Sequence, residues 1–336
     1  MRSFFHTLLF TLFFLGRLIP ANGMGLTEAL EAIPQNAGNY EIILDTAESS
    51  PKIIDIPTDR GLTSLTLNAA DADLSFETTE RLFANGIPLR IGKGISFPNA
   101  NIYGGGYAEN DAEIRLDSSE IILEGKAGYL FGGGLAWTGG TSDVLETNVL
   151  IAEGAVVFME VFGGGHAIGD NSTASVQNTA VTLSGETDYL LGGGLSEYGG
   201  QAYCGQTNGT VTPKGSVQVG LFTGGSAADA DSLTVTDWGN MSISGKADWV
   251  FSGDFAFQGG QCKFNKSGRV VVEKGGWVKE AYLGSFAADD GSKAEIDTAE
   301  LMVCGTAEDI TEKSVASDGA SARTLHPAHF PCTPNE

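Results

Sequence analysis

The chain has 336 residues, of which 47 are glycine and 42% are hydrophobic, a composition that favours one elongated β-rich body over two ordinary domains. The chain has 42 acidic residues and only 19 basic ones, and the formal net charge of -23 argues against binding to nucleic acid or to an anionic membrane surface. The same charge suits a soluble exported protein and attracts cations or basic partners.

The N-terminal segment, residues 1–23, has the pattern of a secretory signal peptide. Arg2 gives a basic start, an apolar run follows, and the small residues Ala21 and Gly23 suit cleavage. An uncleaved membrane anchor is the alternative, but Arg17 interrupts the apolar run, which is shorter than the ~20 residues of a spanning helix. We therefore expect a secreted or cell-surface protein with no membrane insertion after signal cleavage.

The next segment, residues 24–101, is predicted to contain an N-terminal cap and the first coils of a repeat protein. Its start, LTEALEAI at Leu26–Ile33, is the one convincing amphipathic helix, and the strand-like stretches YEIILD and IIDIP follow it. A stack of coils exposes an apolar coil and an unpaired sheet edge at its end. The helix is well placed to cover that end.

A sixty-residue internal repeat dominates residues 102–311. Shifting the sequence by sixty residues superposes two aliphatic series and one glycine series over four copies. Each copy contains a weaker half-repeat, marked by glycine clusters such as LFGGGLA and VFGGGHA, so we expect coils of about thirty residues. The aligned series are Ile121, Val181, Met241 and Leu301; Leu123, Leu183, Ile243 and Val303; and Gly125, Gly185, Gly245 and Gly305.

Alternation within each half-repeat predicts β-strands. In AVTLSG, Val181 and Leu183 point to one side of the strand and Thr182 and Ser184 to the other. A unit this short cannot bury its own apolar face, so neighbouring units must stack as coils of a solenoid. After about residue 311 the pattern ends, and residues 312–336 are predicted to form a polar C-terminal tail.

The opening helix followed by a strand, and the regular spacing of the YGGG and VTLSG motifs, resemble two related groups of proteins. These are the right-handed parallel β-helices of the pectin-lyase-like class and the repeats of bacterial adhesin-like surface proteins. The resemblance covers roughly residues 26–311 and rests on repeat cadence and glycine placement. It implies an all-β, right-handed parallel β-helix of ~30-residue coils in a 60-residue double repeat, with an N-terminal helical cap.

The resemblance also implies a function. We expect an exported, structural or adhesin-like protein that displays loops for interaction with host or cell-surface glycans or proteins, without catalysis. The alternative is a carbohydrate-binding or polysaccharide-degrading protein of the lyase or hydrolase type. Catalytic boxes of the hydrolases are not recognisable as a set, and we expect His166, which replaces Tyr107 and Ser226 of sister coils, to be exposed and non-catalytic.

Two sets of corner residues are candidate binding sites. Aromatic residues before a Gly-Gly pair could stack on sugars, although aromatic corners that pack against the next loop are at least as common. Turn aspartates could supply oxygen ligands to Ca²⁺, although aspartate also recurs at turns because it favours them. No other cofactor is expected. The aromatic set is Trp137, Tyr198 and Phe257, and the acidic set is Asp111, Asp170, Asp229, Asp289 and Asp290.

The triple glycines do not predict a nucleotide site. A phosphate-binding loop needs a following helix and usually a Lys-Ser/Thr pair, whereas each triple glycine here is followed, after one residue, by Ala or Ser and then a turn. Glycine clusters that recur in coil after coil indicate close-packed backbone at a corner.

The four cysteines suggest one disulfide. Val303 faces inward by alternation, so Cys304 points outward in the last recognisable coil, and Cys332 lies within reach 28 residues later. A Cys304–Cys332 disulfide would fold the tail over the open end of the solenoid. Cys204 and Cys262 are two coils apart, about 10 Å, which is beyond disulfide reach unless their loops lean together.

Overall fold

A computed structural model describes residues 17–21, 25–47, 51–70 and 73–332. The chain folds into an all-β parallel solenoid of about ten turns of ~29 residues, with almost no helix among these residues. Residues 1–16, 22 and 23 of the expected signal peptide lie outside the described residues. Between them, the strand Arg17–Ala21 pairs in parallel with the strand Gly38–Leu44.

The strands divide into a less regular N-terminal part and a regular series of coils. The N-terminal strands are β1 (Arg17–Ala21), β2 (Gly38–Leu44), β3 (Ile53–Asp55), β4 (Leu62–Ala69), β5 (Leu74–Ser75), β6 (Arg81–Phe83), β7 (Leu89–Ile91), β8 (Ile95–Tyr103) and β9 (Tyr107–Glu109). The regular strands are β10 (Glu113–Leu123), β11 (Lys126–Phe131), β12 (Leu135–Trp137), β13 (Thr141–Ile151), β14 (Val156–Phe162), β15 (His166–Ile168), β16 (Thr173–Leu183), β17 (Glu186–Leu191), β18 (Leu195–Glu197), β19 (Gln201–Val211), β20 (Ser216–Phe222), β21 (Ser226–Ala228), β22 (Leu233–Ile243), β23 (Lys246–Phe251), β24 (Phe255–Phe257), β25 (Gln261–Val272), β26 (Trp277–Tyr282), β27 (Phe286–Ala287), β28 (Lys293–Val303), β29 (Thr306–Thr311), β30 (Val315–Ala316) and β31 (Ser321–Pro331).

Each regular coil contributes one strand to each of three parallel sheets. The long-strand sheet runs β1-β2-β4-β7-β10-β13-β16-β19-β22-β25-β28-β31. The middle sheet runs β3-β6-β8-β11-β14-β17-β20-β23-β26-β29, with β5 also paired to β8, and the short sheet runs β9-β12-β15-β18-β21-β24-β27-β30. Because each strand pairs with its counterpart one coil away, the ladders extend along the solenoid.

The sixty-residue repeat corresponds to two coils of unequal length. Long strands begin at Glu113, Thr141 and Thr173, so the first of these coils takes 28 residues and the second 32. The longer coil has two more residues in the corner before its middle-sheet strand, one more in that strand and one more in the corner after its short-sheet strand. This alternation explains why the sixty-residue register in the sequence is sharper than the half-repeat.

The main core lies between the long-strand and middle sheets, while inward residues of the short sheet form smaller clusters of their own. Of the eight aligned aliphatic residues, Ile121, Leu123, Val181, Leu183, Met241, Ile243 and Leu301 are buried in it, and Val303 is partly buried against it. Their inward orientation is therefore as the alternation predicts. Burial of such side chains supplies the dominant favourable free energy of folding.

The two ends of the solenoid differ from the regular coils. Near the N-terminus, helix α1 (Leu26–Glu31) buries Leu26, Ala29 and Leu30 in the main core, and a 3-10 turn spans Thr58–Arg60. At the C-terminus, residues 312–331 continue the solenoid where the sequence suggested a polar tail. There β30 pairs with β27 and β31 with β28, because a strand ladder needs main-chain donors and acceptors more than apolar side chains.

Candidate functional site

A second apolar cluster lies outside the main core, where the middle and short sheets meet. Leu130 points into the main core, so the next residue, Phe131, points to the opposite face of the middle sheet. Outward side chains of the two sheets contact one another only if the corner between them is re-entrant. We call this concave surface the corner groove, and its buried floor consists of Phe83, Tyr103, Phe131, Leu135, Phe162, Leu191, Leu195, Phe222 and Phe251.

Glycine clusters make this corner. A Cβ atom on Gly105 would lie 2.6 Å from the backbone nitrogen of Gly134, and one on Gly133 would lie 2.8 Å from the Cα atom of Gly165. Backbone groups stack directly, with Gly133 N–H donating to the Gly164 carbonyl at 3.0 Å. The clusters are thus close-packed main chain, and only glycine fits at this spacing.

Stacked rings form much of the groove floor. The ring centroids of Phe131 and Phe162 are 4.8 Å apart, and those of Tyr103 and Phe131 are 4.9 Å apart. A second stack joins Phe222, Phe251 and Tyr282 at 4.7 and 4.5 Å. The ring faces cover each other from coil to coil, so the floor offers few free faces for a ligand.

His166 brings a polar group into this floor. It occupies the place of Leu135 and Leu195 in the neighbouring coils, and its ring stacks on Phe131 with centroids 4.8 Å apart. It is 3% exposed, so the expectation of an exposed histidine is corrected: its position in the short sheet points into the re-entrant corner. Its Nδ1 lies 3.0 Å from the Tyr103 hydroxyl. Its Nε2 lies 2.8 Å from Oε2 of Glu197.

Glu160 lies in the same groove on β14. It takes the outward position that Tyr129 occupies one coil earlier and pairs with Tyr189 one coil later. Burial, followed by the negative charges of Glu197 and Asp188, raises the pKa of Glu160 to about 7. The groove therefore contains a carboxyl group that titrates near neutral pH beside two further carboxylates.

A positively charged side chain, that of Arg81, lies near one end of the groove. The guanidinium carbon of Arg81 lies 4.6 Å from the ring centroid of Trp137. Arg81 belongs to the same outward row as Asn101 and Tyr129, and Trp137 packs against the groove floor. This is a cation–π contact between two walls of the groove.

The three predicted aromatic residues do not form one strip. Trp137 and Phe257 occupy the same place in β12 and β24, four coils apart, and the ring of Phe257 stacks on Phe255 at 5.0 Å. Tyr198 follows the end of β18, is 65% exposed and has a left-handed φ of 50°. Glu197 holds the strand position that corresponds to Trp137.

The five predicted acidic residues occupy corner turns between the short and long-strand sheets. Asp111, Asp229 and Asp289 have φ values of 63°, 71° and 69°, in the left-handed region that aspartate tolerates better than most residues. Asp170 and Asp290 lie in equivalent turns and are exposed. Within the described parts of the chain, no group of three or more His, Cys, Asp or Glu side chains is placed to hold a metal ion.

The cysteines separate into a bonded and an unbonded pair. A disulfide joins Cys304 to Cys332, whose Cα atoms are 4.9 Å apart. Cys204 and Cys262 are buried free thiols. Burial raises the pKa of Cys204 to about 12 and also raises that of Cys262, so both stay protonated and unreactive near neutral pH.

The groove polar groups were missed by sequence reasoning. A signal was present, since His166 and Glu160 interrupt positions that are mostly apolar or aromatic in neighbouring coils. What the sequence could not supply was the angle between the two sheets that brings these positions together.

Comparisons with protein-family models, with curated proteins and with solved structures gave no match. Among the described residues, no helix has the length and apolar character that crossing a membrane requires.

Proposed function

We propose that this chain is an exported, non-catalytic β-solenoid that acts as an adhesin-like display protein toward host or cell-surface glycans or proteins. In this proposal residues 1–23 direct export, and the chain works as a secreted or cell-surface protein. We further propose a right-handed coil of the pectin-lyase-like class, with helix α1 capping its N-terminal end.

The main support is an aromatic patch on the outer face of the long-strand sheet. Tyr203 on β19 and Trp238 on β22 are 38% and 47% exposed. Exposed aromatic side chains on a rigid surface are typical anchors of binding sites.

Polar contacts hold this patch in place. The Tyr203 hydroxyl donates to Oδ2 of Asp237 at 2.8 Å, and Nδ2 of Asn265 donates to its Oδ1 at 2.8 Å. Nζ of Lys266 lies 5.1 Å from the ring centroid of Trp238. Pre-ordered side chains lose little conformational entropy on binding, which favours recognition over accidental exposure. These five residues are the sheet patch.

The test is a binding screen of the exported chain on glycan arrays and immobilised matrix proteins. We expect at least one binder, with affinity reduced about tenfold or more by the double substitution Tyr203→Ala and Trp238→Ala. Phe158→Ala, which removes an exposed ring from the middle sheet, is the matched control. The proposal would be overturned if the native chain bound nothing on the arrays, or if the patch variant bound as tightly as the native chain.

A carbohydrate-binding or polysaccharide-degrading function is the second candidate, and the groove carboxylates favour it. Glycoside hydrolysis uses two carboxyl groups, one of them protonated near neutral pH. The pKa of Glu160, raised to about 7 by burial and by the nearby negative charge of Glu197, is the feature that favours this candidate. Release of reducing ends or of unsaturated uronates from polysaccharides by the native chain, lost in Glu160→Gln, would support this candidate. No release from any tested polymer would remove the catalytic form of it.

A further inference from the structure

We propose that the corner groove binds a basic peptide segment of a partner protein, with an arginine or lysine side chain of that segment placed at Glu160 between Tyr129 and Tyr189. The inference rests on the proposed interaction function but assigns it a site separate from the sheet patch.

The first support is unbalanced charge inside the groove. The negative charges of Glu197 and Asp188 act on the carboxyl group of Glu160 there. Glu197 is paired with His166. Within the described part of the chain, no side-chain hydrogen bond or ion pair joins Glu160 or Asp188 to another residue. A cation from outside would supply the missing countercharge where partial burial weakens screening by water.

The second support is the arrangement of Arg81 and Trp137. It shows that the walls of this groove accept a guanidinium against an aromatic ring, at 4.6 Å. Arg81 and Glu160 belong to one outward row of the middle sheet, which passes through Asn101 and Tyr129. A bound arginine at Glu160 would repeat, further along the row, a contact that the chain makes with itself.

The occupant is argued from chemistry and charge. A peptide is favoured over a sugar because the floor rings stack on one another, leaving few free faces for a pyranose ring. A basic partner is favoured because the chain has a formal net charge of -23, which attracts cationic segments over long range. Carboxylates beside the partly buried rings of Tyr129 and Tyr189 complement an extended segment that alternates basic and apolar residues.

The titration of Glu160 makes the proposal testable by pH. A bound cation favours the ionised carboxylate, so affinity should rise as pH increases from 6 to 8 and the free groove loses its proton. The titratable groups that interact with Glu160 are Tyr129 on β11, Asp188 and Tyr189 on β17, and Glu197 on β18, which is hydrogen-bonded to His166 on β15.

The experiment measures binding of a fluorescent octapeptide of alternating arginine and leucine to the full chain. The control peptide replaces each arginine by citrulline, which keeps the shape and removes the charge. We expect Glu160→Gln to weaken binding of the arginine peptide about tenfold and to flatten its pH dependence. Glu153→Gln removes the same charge from an exposed turn and should have little effect.

Several outcomes would overturn the proposal. Equal losses in Glu160→Gln and Glu153→Gln would indicate only general attraction to an acidic protein, and equal binding of the citrulline peptide would exclude charge recognition. Binding of a glucosamine oligomer, but not of the peptide, would assign the groove to an amino sugar instead.

Two controls separate folding and the proposed function from this site. Glu160→Tyr restores the residue of the two flanking coils and should remain folded while losing peptide binding. Loss of peptide binding with unchanged array binding through the sheet patch supports two independent surfaces. Peptide binding by a chain that binds nothing on the arrays would overturn the proposed function and leave the groove site standing.

Discussion

The side chains of His166 and Glu197, one coil apart, are joined by a hydrogen bond of 2.8 Å between Nε2 and Oε2. Because an ionised carboxylate only accepts, Nε2 is the donor, and in the neutral imidazole Nδ1 then accepts from the Tyr103 hydroxyl at 3.0 Å. Tyr103 and His166 are buried, so this chain of hydrogen bonds satisfies polar groups that would otherwise be costly in an apolar floor.

We predict that His166 and Tyr103 are energetically coupled. Replacing His166 with leucine, the residue of Leu135 and Leu195, should cost about 1–3 kcal/mol because the buried Tyr103 hydroxyl loses its acceptor. The same replacement should cost less in a Tyr103→Phe background, where no hydroxyl remains. Urea unfolding of the four proteins measures the difference, and strictly additive effects would contradict the coupling.

The parallel solenoid could be predicted because two independent patterns in the sequence agree. Alternation places Val181 and Leu183 on one face of a strand, and the sixty-residue register places Met241 and Ile243 directly along the same ladders. A two-residue period and a fixed repeat length leave little choice but stacked parallel strands.

The corner groove could not be predicted because alternation says which face a residue shares but not how two sheets are angled. Phe131 and Leu135 are outward residues on separate strands, and only the close-packed glycines between them turn those strands together. Alternation alone therefore places His166 in solvent. Whether an outward residue is buried depends on the angle of the adjoining sheet, and alternation along a single strand does not specify that angle.

The sequence also shows that the later coils lose a corner glycine, but it does not show which residue becomes smaller to make room for the larger side chain. Where the first corner glycine becomes Thr223, the threonine that faces it in earlier coils is replaced by Gly239. A Cβ atom on Gly239 would lie 2.8 Å from the Cβ atom of Thr223. Side-chain volume thus moves across the interface while its total stays nearly constant, as dense packing requires.

Leu183→Asp should strongly destabilise the solenoid. Leu183 is buried in the main core, next to Ile151 and Val211 of the adjoining coils, so the substitution buries an unpaired charge at a cost of about 3 kcal/mol or more. Thr182→Asp, on the opposite face of the same strand, should cost about 1 kcal/mol or less. Denaturant midpoints compare the two, and similar losses would contradict the inward orientation of Leu183.

Asp254 should make stability fall as pH rises. Its buried Oδ1 accepts from Gly225 N–H at 2.8 Å and from Thr236 Oγ1 at 3.1 Å, while Oδ2 has no hydrogen-bond partner among the described residues. Burial raises the pKa of Asp254 to about 7. The folded state therefore holds a proton that the unfolded chain releases near pH 4, and the stabilisation is lost between about pH 4 and 7.

The variant Asp254→Asn isolates this effect, because it keeps an acceptor for Gly225 and Thr236 but cannot ionise. The native chain should lose up to about 4 kcal/mol more than the variant between pH 4 and 8. Glu160 titrates with the same sign in both proteins, so it cancels in the difference. Parallel stability curves across this range would show that Asp254 does not carry the proton.

Millimolar calcium should leave the melting temperature unchanged. The left-handed backbone at Asp111, Asp229 and Asp289 already accounts for aspartate at these corners, without a metal. A ligand that binds only the folded state would raise the melting temperature by mass action. A rise with Ca²⁺ that a chelator reverses would therefore assign a binding role to the corner aspartates.

The Cys304–Cys332 disulfide should stabilise the last coil and leave the interior coils unaffected. The bond closes a loop with a sequence separation of 28 residues, which in the chain-entropy account corresponds to about 3–4 kcal/mol. Among the described residues, the coil it fixes, β29 to β31, has a neighbouring coil on one side only, so its strands depend on fewer contacts than those of an interior coil. We expect Cys332→Ser to accelerate amide exchange in β31 while exchange in β16 and β19 stays unchanged. The double variant with Cys304→Ser should match the single one, since either substitution removes the same bond. Peptide mapping of the exported chain under non-reducing conditions should recover the linked peptides, and Cys332 recovered as a free thiol would exclude this closure of the solenoid end.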